Sequence, residues 1–113
     1  MTKELEKPND LQDLARLSVR VGSDPLLIQA AGGNTSIKDG DVMWIKASGT
    51  LLAEAETKDI FVPVDLPAMR AALDDPESNA DQPAAFTLGG ATLRPSIETS
   101  LHAVFDQRVV VHV

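Results

Sequence analysis

Four segments of the sequence combine residue types that could bind a ligand or transfer a proton. They are Gly32-Gly33-Asn34-Thr35-Ser36, Lys46-Ala47-Ser48-Gly49-Thr50, Arg94-Pro95-Ser96-Ile97-Glu98 and the run 109–113 that contains His112. Glycine lets a ligand approach the backbone, hydroxyl and amide side chains donate hydrogen bonds, and helix N-termini attract anions. Three such loops together could hold a phosphate group, although each alone is weak evidence because such turns are structural in most proteins.

Glu98 and His112 are the residues that could act on a bound molecule. A carboxylate transfers protons near neutral pH when it lies in an apolar setting, and Ile97 and Leu101 are expected to provide one for Glu98. The alternative is a solvated glutamate at the start of a helix. His112 is either a metal ligand or a buried histidine with satisfied ring nitrogens. His102, one helical turn after Glu98, is interpreted as a packing residue.

The composition restricts the available chemistry. The 113 residues include no Cys, which excludes thiolate ligands and cysteine nucleophiles, so any metal must use nitrogen or oxygen ligands. A net charge of -7 without a cluster of Lys and Arg argues against nucleic acid as a partner. The polar N-terminal segment and the absence of a long apolar run argue against a signal peptide and a membrane span, so a cytoplasmic protein is expected.

The elements that must position these segments predict one α/β domain. An amphipathic helix is predicted over 11–21 and a strand over 26–28. A turn at Gly33-Asn34 is predicted after that strand. A hairpin follows, with Asp39-Gly40 in a type I′ turn. Its second strand carries apolar side chains on both faces, which indicates that it is covered on both sides.

The second half of the chain continues this pattern. A short helix at 51–56, a strand at 60–64, a helix at 66–73 capped by Asp65 and an exposed loop at 74–83 are expected. A helix at 96–105 follows, and its predicted apolar stripe is Ile97, Leu101, Val104 and Phe105.

The valine-rich run 109–113 is typical of a central strand. Ending a chain there would bury its terminal carboxylate at a large free-energy cost, so we expect a truncated domain rather than a natural edge strand.

Read in order, the motifs GGNTS, KASGT, DIFVPVD, RPSIETSLH and VVVHV resemble the class II aldolase and adducin family, in particular bacterial fuculose and rhamnulose phosphate aldolases. The resemblance runs from about Leu26 to the last residue. It implies a three-layer α/β/α fold around a mainly antiparallel sheet, with residues 1–113 as the truncated N-terminal part of the domain. It also implies a homo-oligomer, a tetramer in this family, and a zinc ion held by three histidines. His112 matches the first histidine of a His-x-His pair.

The same resemblance implies a zinc-dependent aldolase, a lyase that cleaves a phosphorylated ketose through a metal-stabilised enediolate. Glu98 matches the family's catalytic acid/base. Ile97 departs from the pattern, since fuculose-type enzymes have a serine there and isoleucine cannot donate a hydrogen bond. The aldolase interpretation requires the ring of His112 and the carboxylate of Glu98 to face the same side of the sheet. The residues that match positions contacting the substrate phosphate are Asn34, Ser48, Gly49 and Ser96.

Other functions fit the same motifs. A 4-epimerase of pentulose phosphates and a sugar-phosphate dehydratase also use metal-stabilised enolates. A non-catalytic, adducin-like binding or assembly module would keep the fold without the metal, but the presence of Glu98 and His112 argues against it. An acidic domain that only mediates oligomer contacts would rest on composition alone. With one imidazole ligand in the chain, the fragment by itself is expected to be inactive.

Overall fold

The computed structural model describes residues 6–79, 82–89 and 91–113. Its centre is a four-stranded antiparallel sheet with the strand order β3-β2-β1-β4. The strands are β1 (Asn34–Asp39), β2 (Val42–Lys46), β3 (Phe61–Asp65) and β4 (Val109–His112). The α-helices in the described part are α1 (Leu11–Gly22), α2 (Leu66–Leu73) and α3 (Thr99–Val104).

The sheet separates two apolar cores because β2 buries side chains on both of its faces. On one face, Trp44 and Ile37 pack with α1. On the other face, Met43 and Ile45 pack with residues of α2 and with Ala103 of α3. The structure therefore confirms the predicted three-layer α/β/α arrangement, the antiparallel sheet and the double coverage of β2.

Local sequence signals placed several elements correctly. Helix α2 begins where expected, because the Asp65 side chain accepts a hydrogen bond from Ala68 N at 3.0 Å and caps the first turn. Helix α1 ends at Gly22, one residue after the predicted end. The predicted helix at 51–56 is shorter, a 3₁₀ helix at Leu52–Glu54. The exposed loop is seen for 74–79, whereas positions 80 and 81 of that prediction lie outside the described residues.

Two predictions for the first half of the chain were wrong. Residues 26–28 form turns instead of a strand, since Asp24 O accepts from the backbone N of both Leu27 and Ile28 at 3.0 Å. The hairpin turn is not type I′: Gly40 and Asp41 are its central residues, and only Gly40 has a positive φ, 59°. Glycine at the first central position with a negative φ at the second is the pattern of a type II′ turn.

The start and the apolar stripe predicted for the helix in the second half were also wrong. Helix α3 begins at Thr99, and the expected apolar stripe is exposed, with Ile97 85% accessible. The side that packs on the sheet carries Thr99, His102 and Ala103. Strand β4 has alternating exposure and pairs with β1 alone among the described strands, so its central position in a longer domain stays a prediction.

Gly33, which precedes β1, combines a positive φ of 78° with a close approach of side chains. A Cβ added there would lie 2.2 Å from Ile28 Cδ1 and 3.2 Å from Leu52 Cδ1. At Gly49, with a φ of 77°, a Cβ would meet no atom within 4 Å. We expect Gly33→Ala to lower the free energy of unfolding by about 2 kcal/mol and Gly49→Ala by about 1 kcal/mol, because only the first adds overpacking to backbone strain. Urea unfolding measures both, and equal losses would contradict the packing argument.

Of the helices in the described parts of the chain, none has the length and apolar character that crossing a membrane requires.

Candidate functional site

The paired strands β1 and β4 bring the candidate metal ligand to the sheet face that α3 covers. Asn34 lies directly opposite His112 in the register of these strands, so both side chains point to one face. Ser36, two residues further along β1, shares that face and is paired with Ile45. This is the face of the core formed with α2 and α3.

Glu98, immediately before α3, contacts Asn34 of β1 and His112 of β4. Asn34 Nδ2 donates a hydrogen bond to Glu98 Oε1, and His112 Nδ1 lies 2.6 Å from Glu98 Oε2. The side chains of His112 and Glu98 are 44% and 31% exposed, so a molecule from solvent can reach them. The condition required by the aldolase interpretation is met, since ring and carboxylate face the same side of the sheet.

The apolar setting expected for Glu98 was wrong. Ile97 and Leu101 are both exposed, because they lie on the side of this segment that faces away from the sheet. The groups that contact the carboxylate are instead polar, an amide and an imidazole. The carboxylate therefore lies in a polar setting and not in an apolar pocket.

Backbone pairing ties the segment before Glu98 to the end of β2. Ser96 N donates to Lys46 O at 3.0 Å, and Ser48 N donates to Arg94 O at 2.8 Å. Ser96 Oγ accepts from Glu98 N at 3.1 Å, which uses an oxygen lone pair and leaves its hydroxyl proton for another acceptor. The loops that contain Ser48 and Ser96 are thus adjacent, and the second leads directly to Glu98.

The residues expected to contact phosphate differ in accessibility. Ser48 and Gly49 are exposed, whereas Asn34 and Ser96 are buried. One hydrogen of the Asn34 amide is used by Glu98, which leaves a second hydrogen for a ligand. Asn34 Oδ1 is buried without a hydrogen-bond partner among the described residues. The phosphate contacts of these four residues stay predictions.

Comparison with known proteins shows that the chain matches a protein family. Residues 12–113 match the family described as Class II Aldolase and Adducin N-terminal domain. The chain belongs to this family. A similar solved structure is that of the N-terminal Class II Aldolase domain of a conserved protein from Thermoplasma acidophilum, with a TM-score of 0.78 and 27% identity. The match covers 97% of this chain and 57% of that one.

A curated relative of this class II aldolase domain is much longer than the chain. It is the Uncharacterized oxidoreductase YuxG of Bacillus subtilis (strain 168), which is 30% identical over 118 residues. The match covers 93% of this chain but 17% of that protein.

The described part of the class II aldolase domain does not complete a zinc site. It contains no group of three or more His, Cys, Asp or Glu side chains that could hold a metal ion. His112 and Glu98 offer one nitrogen and one oxygen donor side by side, whereas a catalytic zinc ion needs about three protein ligands. The role of His112 as a metal ligand stays a prediction.

The domain also contains a buried cation to which the sequence interpretation assigned no role. Lys46 is 2% exposed, and its Nζ donates to Ala31 O at 2.8 Å and to Thr50 O at 2.7 Å. Burial lowers the pKa of Lys46, and the charge of Glu98 raises it in part. The ammonium group joins the two loops that flank the candidate site, next to Ala30, whose positive φ of 51° is a strained conformation.

His102 packs against the sheet, as interpreted from the sequence, and it also makes a buried polar contact. Its Nδ1 lies 2.7 Å from Ser36 Oγ, and both residues are fully buried. Burial lowers the pKa of His102 to about 4, with smaller contributions from His112 and Lys38, so the ring is neutral at pH 7. Polar residues at every second position of β1, Asn34 and Ser36, were the sequence signal for this contact.

Proposed function

We propose that this chain is part of a zinc-dependent aldolase that cleaves a phosphorylated ketose by a retro-aldol reaction. The observation that supports the proposal is the placement of Glu98 between Asn34 and His112, at an accessible position. Zinc bound at His112 and at further ligands outside this sequence would polarise substrate oxygens. A cytoplasmic location and a homo-oligomer, a tetramer by family resemblance, are part of the proposal.

Glu98 is proposed as the general acid and base. Cleavage requires a base that removes a hydroxyl proton, after which the carbon–carbon bond breaks and an aldehyde leaves. The same group then returns the proton to the carbon that held the bond. Each carboxylate oxygen has two lone pairs, so the contacts to Asn34 and His112 fix the group while leaving a lone pair on each oxygen.

The loops beside Glu98 are proposed to hold the phosphate of the substrate. Ser48 and Gly49 are exposed at the end of β2, and the backbone pairing places them beside the segment of Ser96. The φ of 77° at Gly49 and the open space where a Cβ would lie let a ligand approach the backbone closely. The hydroxyl protons of the two serines suit an anionic oxygen.

The proposal is tested with a full-length protein that contains this domain. We expect stoichiometric zinc by mass spectrometry of the purified protein, and release of an aldehyde and a ketone phosphate from phosphorylated ketoses, abolished by a chelator. Product identification separates the alternatives, since an epimerase returns an isomer and a dehydratase releases water. A folded protein that binds no zinc and turns over no sugar phosphate would instead favour the adducin-like binding module.

A further inference from the structure

Polar groups dominate the side of α3 that faces the sheet. Its buried residues are Thr99, His102 and Ala103, and only Ala103 belongs to the apolar core. Leu101 and Val104 face solvent and cannot anchor the helix. A helix of six residues with one small apolar anchor depends on specific hydrogen bonds for its position.

Two side-chain hydrogen bonds join β1 to the segment of α3. The partly buried one links Asn34 to Glu98, and the fully buried one links Ser36 to His102 at 2.7 Å. The strand partners are two residues apart and the helix partners four apart, spacings that keep each pair of side chains on one face. The backbone connects them as well, because His102 N donates to Glu98 O at 3.2 Å.

We propose that the Ser36–His102 hydrogen bond positions Glu98 and His112 for reaction. Arg70 of α2 donates hydrogen bonds to Ala103 O and Phe105 O and holds the C-terminal end of α3. The buried bond fixes the rotation of α3 relative to β1, and thereby brings the Glu98 carboxylate to Asn34 and His112. The ring of His102 also lies beside that of His112, with centroids 6.2 Å apart and planes at 53°. A role of this arrangement in catalysis rests on the proposed function, whereas the contacts between these residues do not depend on it.

The tautomer of His112 reports this positioning in the 113-residue chain without metal or substrate. His112 Nδ1 lies 2.6 Å from Glu98 Oε2 without forming a hydrogen bond, and this proximity to the carboxylate favours the tautomer with the proton on Nδ1. Nitrogen-15 spectra of the imidazole, recorded at a pH where His112 is neutral, measure the ratio of the two tautomers. Ser36→Ala should lower the share of the Nδ1-protonated form relative to the other form by up to about fivefold, the effect of losing a partly exposed contact with a carboxylate.

A matched pair of variants separates the hydrogen bond from the bulk of the ring. His102→Asn places an amide where Nδ1 lies and should keep the natural ratio, whereas His102→Gln places its amide further out and should lower the ratio as Ser36→Ala does. Val104→Ala, on the exposed side of α3, is the control and should leave the ratio unchanged.

The proposal is overturned if folded Ser36→Ala or His102→Gln chains keep the natural tautomer ratio. Amide spectra establish which variants fold. If neither of these two folds, His102→Asn decides the question. A tautomer ratio equal to that of the natural chain supports the positioning role, and a lower ratio overturns it. A failure of the proposed aldolase reaction would leave these ratios untouched, so the two failures are distinguishable.

Discussion

Replacing Glu98 with Gln in the full-length protein should lower turnover by at least about a hundredfold, the contribution expected of a general acid and base. Gln has nearly the same shape as Glu, and its single amide oxygen can still accept the hydrogen bond from Asn34, while its amide nitrogen takes the place of the oxygen beside His112. It cannot take up the hydroxyl proton of the substrate. The loss should therefore appear in kcat, with a smaller change in KM.

Two measurements keep this result specific to proton transfer. Zinc content must be unchanged in the Gln variant, since loss of the metal would lower turnover for another reason. Glu77→Gln removes a carboxylate from the exposed 74–79 loop and should retain full turnover. Unchanged kcat in Glu98→Gln would remove Glu98 from the proposed role and favour an acid and base outside this chain.

The chain should lose about 3 kcal/mol of unfolding free energy as the pH falls from 6.5 to about 4, because of His102 alone. Burial lowers its pKa from the ordinary 6.5 to about 4 in the folded state. Between these values the unfolded chain binds a proton at this side chain and the folded chain does not, so acid favours unfolding. Above pH 6.5 neither state binds the proton, and the contribution is constant.

Urea unfolding at several pH values measures this dependence. His102→Asn is the comparison, because its amide keeps a partner for Ser36 and does not titrate. The difference in unfolding free energy between the natural chain and this variant should change across the window and be flat above it. The other ionisable groups are common to both chains, so the difference isolates His102. Parallel curves throughout would contradict a depressed pKa at His102.

Local patterns were reliable wherever a residue acts on its own neighbours. Asp65 caps α2 because its carboxylate reaches the backbone three residues ahead, a contact that any tertiary structure preserves. The alternation in β2 indicated burial on both faces, since side chains of a strand point alternately to its two sides. The family and its three-layer fold followed from the order of five motifs along the chain.

The failures share a different cause, competition between contacts distant in sequence. The apolar stripe predicted for α3 has helical spacing, yet the helix turns Thr99, His102 and Ala103 to the sheet, where Ser36 offers a partner for the imidazole. Periodicity reports amphipathic character and does not specify which side finds a partner.

The sequence by itself determined the family, the three layers and the residue types available for chemistry, with Glu98 and His112 as leading candidates. Only the tertiary structure decided that Asn34 and His112 meet the same carboxylate, that Lys46 joins two loops and that His102 bonds to Ser36. These contacts join residues up to 66 positions apart, and they depend on strand register and on the rotation of α3. Register and rotation are set by packing of the whole domain, which no local segment encodes.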